Sequence, residues 1–368
     1  MHQTPSNPAF SLAALLPFMP RTRLSTGVNA ARCIALGLGT ALFCLVGVIA
    51  TPAHGDIFDE VFSEPTTAEK RAVLNDWARR TQPVQRWRVE KSVREDGYRL
   101  DIVSHQLDGN RHYAAVRLPE NHRPGQSAPI LVLNHGGWEG ADADWAWHVA
   151  DDCLADFYVL VPSFRGEPLR LGRQNYQSTG EQSLIDRDVD DTMALISGVI
   201  ENYPGAQGDD VSAWGYSRGG GTSLMLGIRD QRVDRVVNVF GPTDVLTTDA
   251  MADRVRESYY GEDLGPFYGF PASWMGELLD GETSRQALRH KLLSGSALHF
   301  ANRLPERVQS HHGARDTIVP VENARTLHSA LDQRTDMRVS DYFEYRFGGH
   351  GELRGLDRRA VSMLCEDR

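Results

Sequence analysis

The sequence has few cysteines, and their placement argues against a fold built on disulfides or on a metal. Two of the four, Cys33 and Cys44, lie in the N-terminal segment, which leaves Cys153 and Cys365 far apart in the rest of the chain. Two such cysteines do not make a disulfide framework, so we expect unpaired buried thiols. Pairing in an oxidising compartment is the alternative. No cysteine and histidine residues have the spacing of metal ligands, and we predict neither a metal nor another cofactor.

A basic surface is also missing. The formal net charge is −10, and no run of lysine and arginine is long enough to follow a phosphate backbone. Nucleic acid is therefore excluded as a partner. The chain also has no internal repeat and no low-complexity tract. What remains is an ordinary globular composition, long enough for one large α/β domain or two small ones.

One long apolar run stands out, and it lies close to the N-terminus. Residues 33–50 follow several arginines and precede small residues, which is the arrangement of a secretory signal. We predict that residues 1–53 are a signal peptide cleaved after Ala53 or Ala50, with Met19 as an alternative start. The alternative is an uncleaved membrane anchor through residues 33–50. Either reading predicts an exported protein, periplasmic or extracellular.

Two kinds of local pattern follow this segment. Residues 54–83 are predicted to be an N-terminal helical extension, because Thr66 and Glu69 have the spacing of a capping box. From residue 84, short alternating apolar segments separated by Asp-Gly turns indicate β-hairpins. We therefore expect a sheet that starts antiparallel.

The pattern then changes to that of buried parallel strands. "PILVLN" and "FYVLVP" are continuous apolar runs, and helical patterns at about 142–155 and 183–202 alternate with such runs. This alternation predicts a doubly wound, mostly parallel α/β sheet. We assign residues 84–368 to one catalytic domain with a helical cap inserted at about 245–300. In such sheets the ligand site lies beyond the carboxyl ends of the strands.

Reactive side chains occur where predicted strands end. Ser217 lies in "GYSRG", Asp316 in "GARD" and His350 in "GGHG", and a His-Gly-Gly turn follows "ILVLN". A serine hydroxyl needs a base to become a nucleophile, and that base needs a third group to orient it. The order Ser, Asp, His is that of the α/β-hydrolase arrangement. We therefore predict Ser217 as nucleophile, His350 as base and Asp316 as the acid that orients it.

An oxyanion formed at this serine also needs preorganised donors. The backbone N–H of Arg218 is one candidate, since it lies at the N-terminus of a predicted helix. The second candidate is the backbone N–H of Gly137 or Trp138 in the His-Gly-Gly-Trp turn.

Other residues compete for the roles of base and acid. His311, His312 and His328 fit the base less well, because none lies in a glycine-bounded loop after the last strand. Asp244 is the rival acid, since it follows the preceding predicted strand, where some hydrolases place this residue.

Taken together, the motifs identify a family resemblance. They are "NHGG", "PSFRGE", "DRDVDD", "GYSRGGGTSLMLGIRD", "FGPTD", "HGARDTIVP" and "GGHG". Residues from about 125 to 355 resemble the catalytic domain of the prolyl oligopeptidase family of serine peptidases. The resemblance implies the same triad. It also implies a structural role for Asp188, Asp190 and Asp191, which we interpret as charges that favour a helix N-terminus.

The chain departs from the large members of that family at its N-terminal side. Those members carry a β-propeller that selects substrates by size, and too few residues precede "PILVLN" to form one. Specificity for proline is therefore not implied. The predicted function is an exported serine hydrolase that cleaves peptide or ester bonds of a small substrate. A carboxylesterase resembling acetyl esterases is the alternative, and a catalytically silent binding protein is a third hypothesis.

Aromatic residues are frequent in the predicted cap. They either line a substrate pocket or pack the cap onto the domain, and the sequence does not separate the two. These residues are Tyr259, Tyr260, Phe267, Tyr268, Phe270 and Trp274.

Overall fold

The computed structural model describes residues 56–366, apart from gaps at 81–82, 96, 121–122, 124–126, 149–151 and 249. The predicted signal peptide or anchor lies outside these residues. Among the helices that the structure does describe, none is both long enough and apolar enough to cross a membrane.

The strands form one large and one small sheet. In chain order they are β1 (Gln85–Glu95), β2 (Tyr98–Leu107), β3 (Asn110–Arg117), β4 (Ala128–Asn134), β5 (Ala141–Asp142), β6 (Tyr158–Pro162), β7 (Pro168–Leu171), β8 (Gln174–Gln177), β9 (Ala206–Tyr216), β10 (Val233–Val239), β11 (Arg307–Gly313) and β12 (Val339–Tyr345). The large sheet has the order β1-β2-β3-β6-β4-β9-β10-β11-β12, and the small one has the order β5-β7-β8.

Helices cover both faces of the large sheet. They are α1 (Ile57–Val61), α2 (Thr67–Arg79), α3 (Trp145–His148), α4 (Asp186–Asn202), α5 (Arg218–Arg229), α6 (Met251–Tyr259), α7 (Pro266–Leu279), α8 (Arg285–Leu293), α9 (Glu322–Leu331) and α10 (Leu356–Cys365). Two segments of the described chain, Asp152–Asp156 and Ala297–Arg303, are 3₁₀ helices.

The direction of pairing matches the sequence pattern. β1, β2, β3 and β6 pair antiparallel, and every pair from β6 through β4 to β12 is parallel. The apolar run of β4 explains its central place. Ile130 and Val132 join the core on one face of the sheet, while Leu131 and Leu133 join the core on the other. A doubly wound, mostly parallel α/β sheet with an antiparallel start is thereby confirmed.

The prediction of one continuous helix at about 142–155 is wrong. Ala141–Asp142 pairs with β7, so the chain is extended where the helix is expected to begin. The four-residue α3 and a 3₁₀ turn over Asp152–Asp156 follow it. The small sheet that causes this break has strands of two to four residues, too short for a periodic pattern.

The expectation of unpaired thiols is also wrong. Cys153 and Cys365 form a disulfide with a Cα–Cα distance of 6.1 Å. The 3₁₀ turn that carries Cys153 packs against α10, which ends at Cys365. The two residues are 212 positions apart in sequence, so only the folded chain brings them together.

Between β10 and β11 the chain forms an insertion of helices. We call Met251–Arg303, which contains α6, α7, α8 and the second 3₁₀ segment, the cap. The cap contacts the N-terminal helices, and α2 begins with the predicted capping box of Thr66 and Glu69. Arg289 of the cap is buried and donates to the carbonyl groups of Val61 and Ser63 and to the Glu69 carboxylate.

The acidic start of α4 has a different role from the one expected. Asp188, Asp190 and Asp191 are buried and face arginines of other elements rather than solvent. Arg165 binds Asp191 through two hydrogen bonds of 3.0 and 2.6 Å, and Arg80 lies 3.2 Å from Asp190. A helix-terminus charge effect alone does not explain these contacts. The acids join α4 to the strand ends and to the N-terminal helices.

Candidate active site

Ser217 occupies a strained turn between β9 and α5. Its φ of 52° and ψ of −126° lie outside the favourable regions for a residue with a side chain. The flanking glycines make this turn possible. A Cβ at Gly215 would collide with the carbonyl of Gly219, and a Cβ at Gly219 would collide with the carbonyl of Asn134. This turn places the Ser217 hydroxyl at the carboxyl edge of the sheet.

The structure brings the three predicted side chains into one hydrogen-bonded chain. Ser217 Oγ lies 2.9 Å from His350 Nε2, and His350 Nδ1 lies 2.8 Å from Asp316 Oδ2. Ser217 follows β9, Asp316 follows β11 and His350 follows β12. The His350 side chain is 15% exposed, whereas that of Asp316 is fully buried. The base is therefore open to a substrate and its orienting acid is shielded from water.

Asp316 is held as a carboxylate. Its Oδ1 accepts the backbone N–H groups of Ile318 and Val319, each at 2.9 Å. Burial raises its pKa, but hydrogen bonds from His312 and His350 outweigh this and hold the pKa of Asp316 below its usual range. At neutral pH the acid is ionised, as the orienting member of such a triad requires.

His312 belongs to this site in a role that the sequence patterns did not indicate. Its Nε2 lies 3.4 Å from Asp316 Oδ2 and 2.9 Å from the carbonyl of Val319, and its side chain is fully buried. The sequence held one signal, since His312 precedes Asp316 by four residues at the end of β11. It supports the acid and does not reach the nucleophile.

Asp244, His311 and His328 lie away from the triad contacts. Asp244 binds Thr247 and lies 3.3 Å from His299, so it is not the acid bound to His350. His311 lies between Gln309 and Tyr345, and His328 contacts Ser340.

The two predicted sources of oxyanion donors flank Ser217. Arg218 is the first residue of α5, where backbone N–H groups are free of helical partners. The 135–140 loop lies against the nucleophile, since a Cβ at Gly136 would lie 3.0 Å from Ser217 Cβ. Gly137 is exposed and has a φ of +68°, and Trp138 follows it. Both candidate loop donors thus lie next to the turn of the serine.

The cap reaches this loop through aromatic contacts. The Trp138 ring lies 5.3 Å from that of Phe270, which in turn lies 6.1 Å from Trp274. Phe267, Tyr268 and Trp274 are buried, and Tyr260 is 75% exposed. Most of these aromatic residues therefore pack the cap, and Phe270 connects it to the 135–140 loop. Within the described residues, no group of three or more acidic, histidine or cysteine side chains is placed to hold a metal ion.

This fold and these contacts define a serine hydrolase with the α/β-hydrolase fold. The model of the prolyl oligopeptidase family matches residues 145–362, which is more than half of the 368 residues. The chain belongs to that family. The described residues before β4 form two helices and three strands, and no propeller is seen among them.

Solved structures of esterases and peptidases share the fold. Acetyl xylan esterase 1 from Thermoanaerobacterium sp. JW/SL YS485 has a TM-score of 0.58 at 19% identity, over 84% of this chain and 93% of that chain. Acetyl xylan esterase from Paenibacillus sp. R4 has a TM-score of 0.59 at 15% identity, over 83% and 97%. Dipeptidyl peptidase 4 from Porphyromonas gingivalis has a TM-score of 0.50 at 16% identity, over 74% and 43%. The comparison with curated protein sequences gives no match.

Proposed function

We propose that this chain is an exported serine hydrolase that cleaves a small peptide or ester substrate through an acyl-enzyme on Ser217. The hydrogen-bonded chain from Ser217 through His350 to Asp316 carries the proposal. A nucleophile, a base and an orienting acid in contact are what acyl transfer requires.

The geometry supports a two-step reaction. Ser217 Oγ attacks the substrate carbonyl carbon while His350 Nε2 takes the hydroxyl proton, and Asp316 stabilises the resulting imidazolium. The carbonyl oxygen becomes an oxyanion, which accepts hydrogen bonds from the N–H of Arg218 and of Gly137 or Trp138. His350 then gives the proton to the leaving group. Water then attacks the acyl carbonyl carbon while His350 takes a proton from it, and His350 returns that proton to Ser217 Oγ as the acid product leaves.

The choice between ester and peptide is open to experiment. Membership of the prolyl oligopeptidase family favours a peptidase. The propeller by which large members of that family select substrates by size is not seen in the described residues. The likeness to two acetyl xylan esterases over almost their full length is the reason to test acetyl esters as a second candidate. That likeness by itself establishes a common fold.

Export is supported by the disulfide as well as by the N-terminal segment. Disulfides persist in oxidising compartments and are rare in the cytosol. The Cys153–Cys365 bond therefore agrees with a protein that leaves the cytosol. N-terminal sequencing of the protein purified from the cell envelope and medium distinguishes cleavage after Ala50 or Ala53 from an uncleaved anchor.

A fluorophosphonate probe tests the nucleophile. Wild type should be labelled and Ser217→Ala should not, while Ser329→Ala, which changes an exposed serine on α9, should be labelled like wild type. Failure of wild type to react, or equal labelling of Ser217→Ala, contradicts the assignment. Turnover of p-nitrophenyl acetate and of a panel of small peptide anilides then separates esterase from peptidase.

A further inference from the structure

The side chain of Arg218 is buried directly behind the nucleophile. Its guanidinium carbon lies over two aromatic rings, 5.0 Å from the centre of Trp138 and 4.6 Å from that of Phe164. Nη2 donates to Glu167 Oε1 at 2.7 Å, and both side chains are almost completely inaccessible to solvent. A charge-assisted bond in such a setting is strong and directional. The residue whose N–H is a candidate oxyanion donor is thus anchored by its own side chain.

Glu167 is also linked, through Gln182, to the other segment of the proposed oxyanion hole. Gln182 Nε2 donates to Glu167 Oε1 at 3.3 Å and to the carbonyl of Trp138 at 3.2 Å. Glu167 and Gln182 therefore join Arg218 to the 135–140 loop, and these two segments carry the candidate oxyanion donors.

A second carboxylate faces the same guanidinium without this connection. Asp188 Oδ2 lies 3.7 Å from Arg218 Nη2, beyond hydrogen-bond distance, and Asp188 accepts from the N–H of Arg165 at 3.4 Å. Burial raises the pKa of both carboxyl groups, that of Asp188 the more strongly, but it is Glu167 that hydrogen-bonds Arg218 and is linked through Gln182 to the 135–140 loop. Asp188 thus provides a matched control for changing a buried acid beside Arg218.

We propose that Glu167 is a positioning residue of the oxyanion hole, which fixes the N–H of Arg218 relative to the N–H groups of Gly137 and Trp138. The proposal rests on the proposed function. Preorganised donors stabilise the transition state because they need no rearrangement during the reaction. Loss of Glu167 allows the two segments to separate, so that at least one donor no longer fits the oxyanion.

The test compares Glu167→Ala and Glu167→Gln with Asp188→Asn, using the ester or anilide that wild type hydrolyses best. Glu167→Ala should lower kcat by about 10²–10³-fold, the cost of losing one oxyanion donor, with KM nearly unchanged. Glu167→Gln, which keeps an acceptor oxygen, should fall between this variant and wild type. Asp188→Asn should keep a kcat close to that of wild type.

The Ki of a trifluoromethyl ketone distinguishes a positioning role of Glu167 from a purely structural role, which would leave this Ki unchanged. Its adduct with Ser217 carries an oxyanion, so its Ki should rise by the same factor by which kcat/KM falls. If Glu167→Ala does not fold, Gln182→Ala replaces it. Gln182 is exposed, and its loss cuts the link to the Trp138 carbonyl while Arg218 and Glu167 stay paired.

The outcomes separate this proposal from the one on which it rests. If wild type is labelled by fluorophosphonate but the folded Glu167 or Gln182 variants keep their kcat and inhibitor affinity, the positioning role is wrong and the nucleophile stands. The same conclusion follows if Asp188→Asn loses as much kcat as Glu167→Ala. A wild type that neither labels nor turns over any substrate overturns both proposals.

Discussion

Backbone hydrogen bonds join the loops that carry the triad, whereas charged side chains, together with apolar packing, join the cap to the N-terminal helices. The N–H of Arg315 donates to the carbonyl of Gly348 at 2.9 Å, and that of Ser217 donates to Val239 at 2.9 Å. On the cap, Arg256 pairs with Asp56 and Asp59 and Arg289 pairs with Glu69. Salt screens ion pairs with exposed partners, such as those of Arg256, whereas a backbone hydrogen bond carries no net charge to screen. The site is therefore expected to keep its geometry under conditions that loosen the cap.

The largest effect is expected from a substitution in the triad. Asp316→Asn should lower kcat by about 10⁴-fold, because an amide no longer holds His350 in the tautomer that accepts the Ser217 proton. The new side chain keeps an oxygen for the N–H groups of Ile318 and Val319, so the loop should stay folded. Steady-state kinetics with the best substrate measures the effect.

Asp244→Asn is the control for this change. Asp244 is a buried aspartate that follows the neighbouring strand and does not bind His350. It should lose stability and retain kcat. If Asp316→Asn kept more than a tenth of the wild-type kcat, or Asp244→Asn lost as much, the assignment of the acid would be wrong.

A smaller effect, a loss of stability, is expected from a substitution in the cap. Arg289→Ala should lower the free energy of unfolding by about 2–3 kcal/mol, because it leaves the buried carbonyl of Val61 and the partly buried carbonyl of Ser63 without a charged donor. Arg285→Ala, on the same helix, removes an exposed pair with Glu60 and should cost less than about 1 kcal/mol. Urea unfolding measures both, and equal losses would contradict the special role of Arg289.

The smallest effect is a dependence of stability on pH. The hydrogen bond from Arg289 lowers the pKa of Glu69 from 4.5 to about 2, so Glu69 contributes stability above pH 4.5 that is lost as the pH falls towards 2. Glu69→Gln keeps the capping box and removes this titration. Its Tm should therefore fall less steeply than that of wild type between pH 5 and pH 3.

Glu64→Gln, in the same exposed segment, is the comparison for this pH series. It should follow the wild-type curve. Parallel curves for Glu69→Gln and wild type would contradict a stabilising contribution of ionised Glu69 through its pair with Arg289.

The sequence is informative about the triad because the relevant signals are local. Glycines mark the sharp turn around Ser217, and Asp316 and His350 each lie within a few residues after a strand. Parallel strands place their carboxyl ends at one edge, so side chains distant in sequence can be predicted to meet there.

Contacts that depend on tertiary packing are not predictable in this way. Nothing next to Cys153 indicates that α10 will bring Cys365 to it. In the same way, the pattern around Asp188 shows its place in the first turn of α4 but not that Arg218 of the next helix lies beside it. Buried charges are matched by partners from other elements, and a single segment does not identify them.

The Cys153–Cys365 bond has a topological consequence for the site. The segment that it closes contains Ser217, Asp316 and His350, with the cap between the first and the other two. A protease that cuts an exposed turn of the cap, such as that at Gly281, separates the nucleophile from its base along the backbone and leaves them on one covalent molecule. Cleavage there yields a nicked ring rather than two fragments, and the halves of the active site stay together at an effective concentration that dilution does not change.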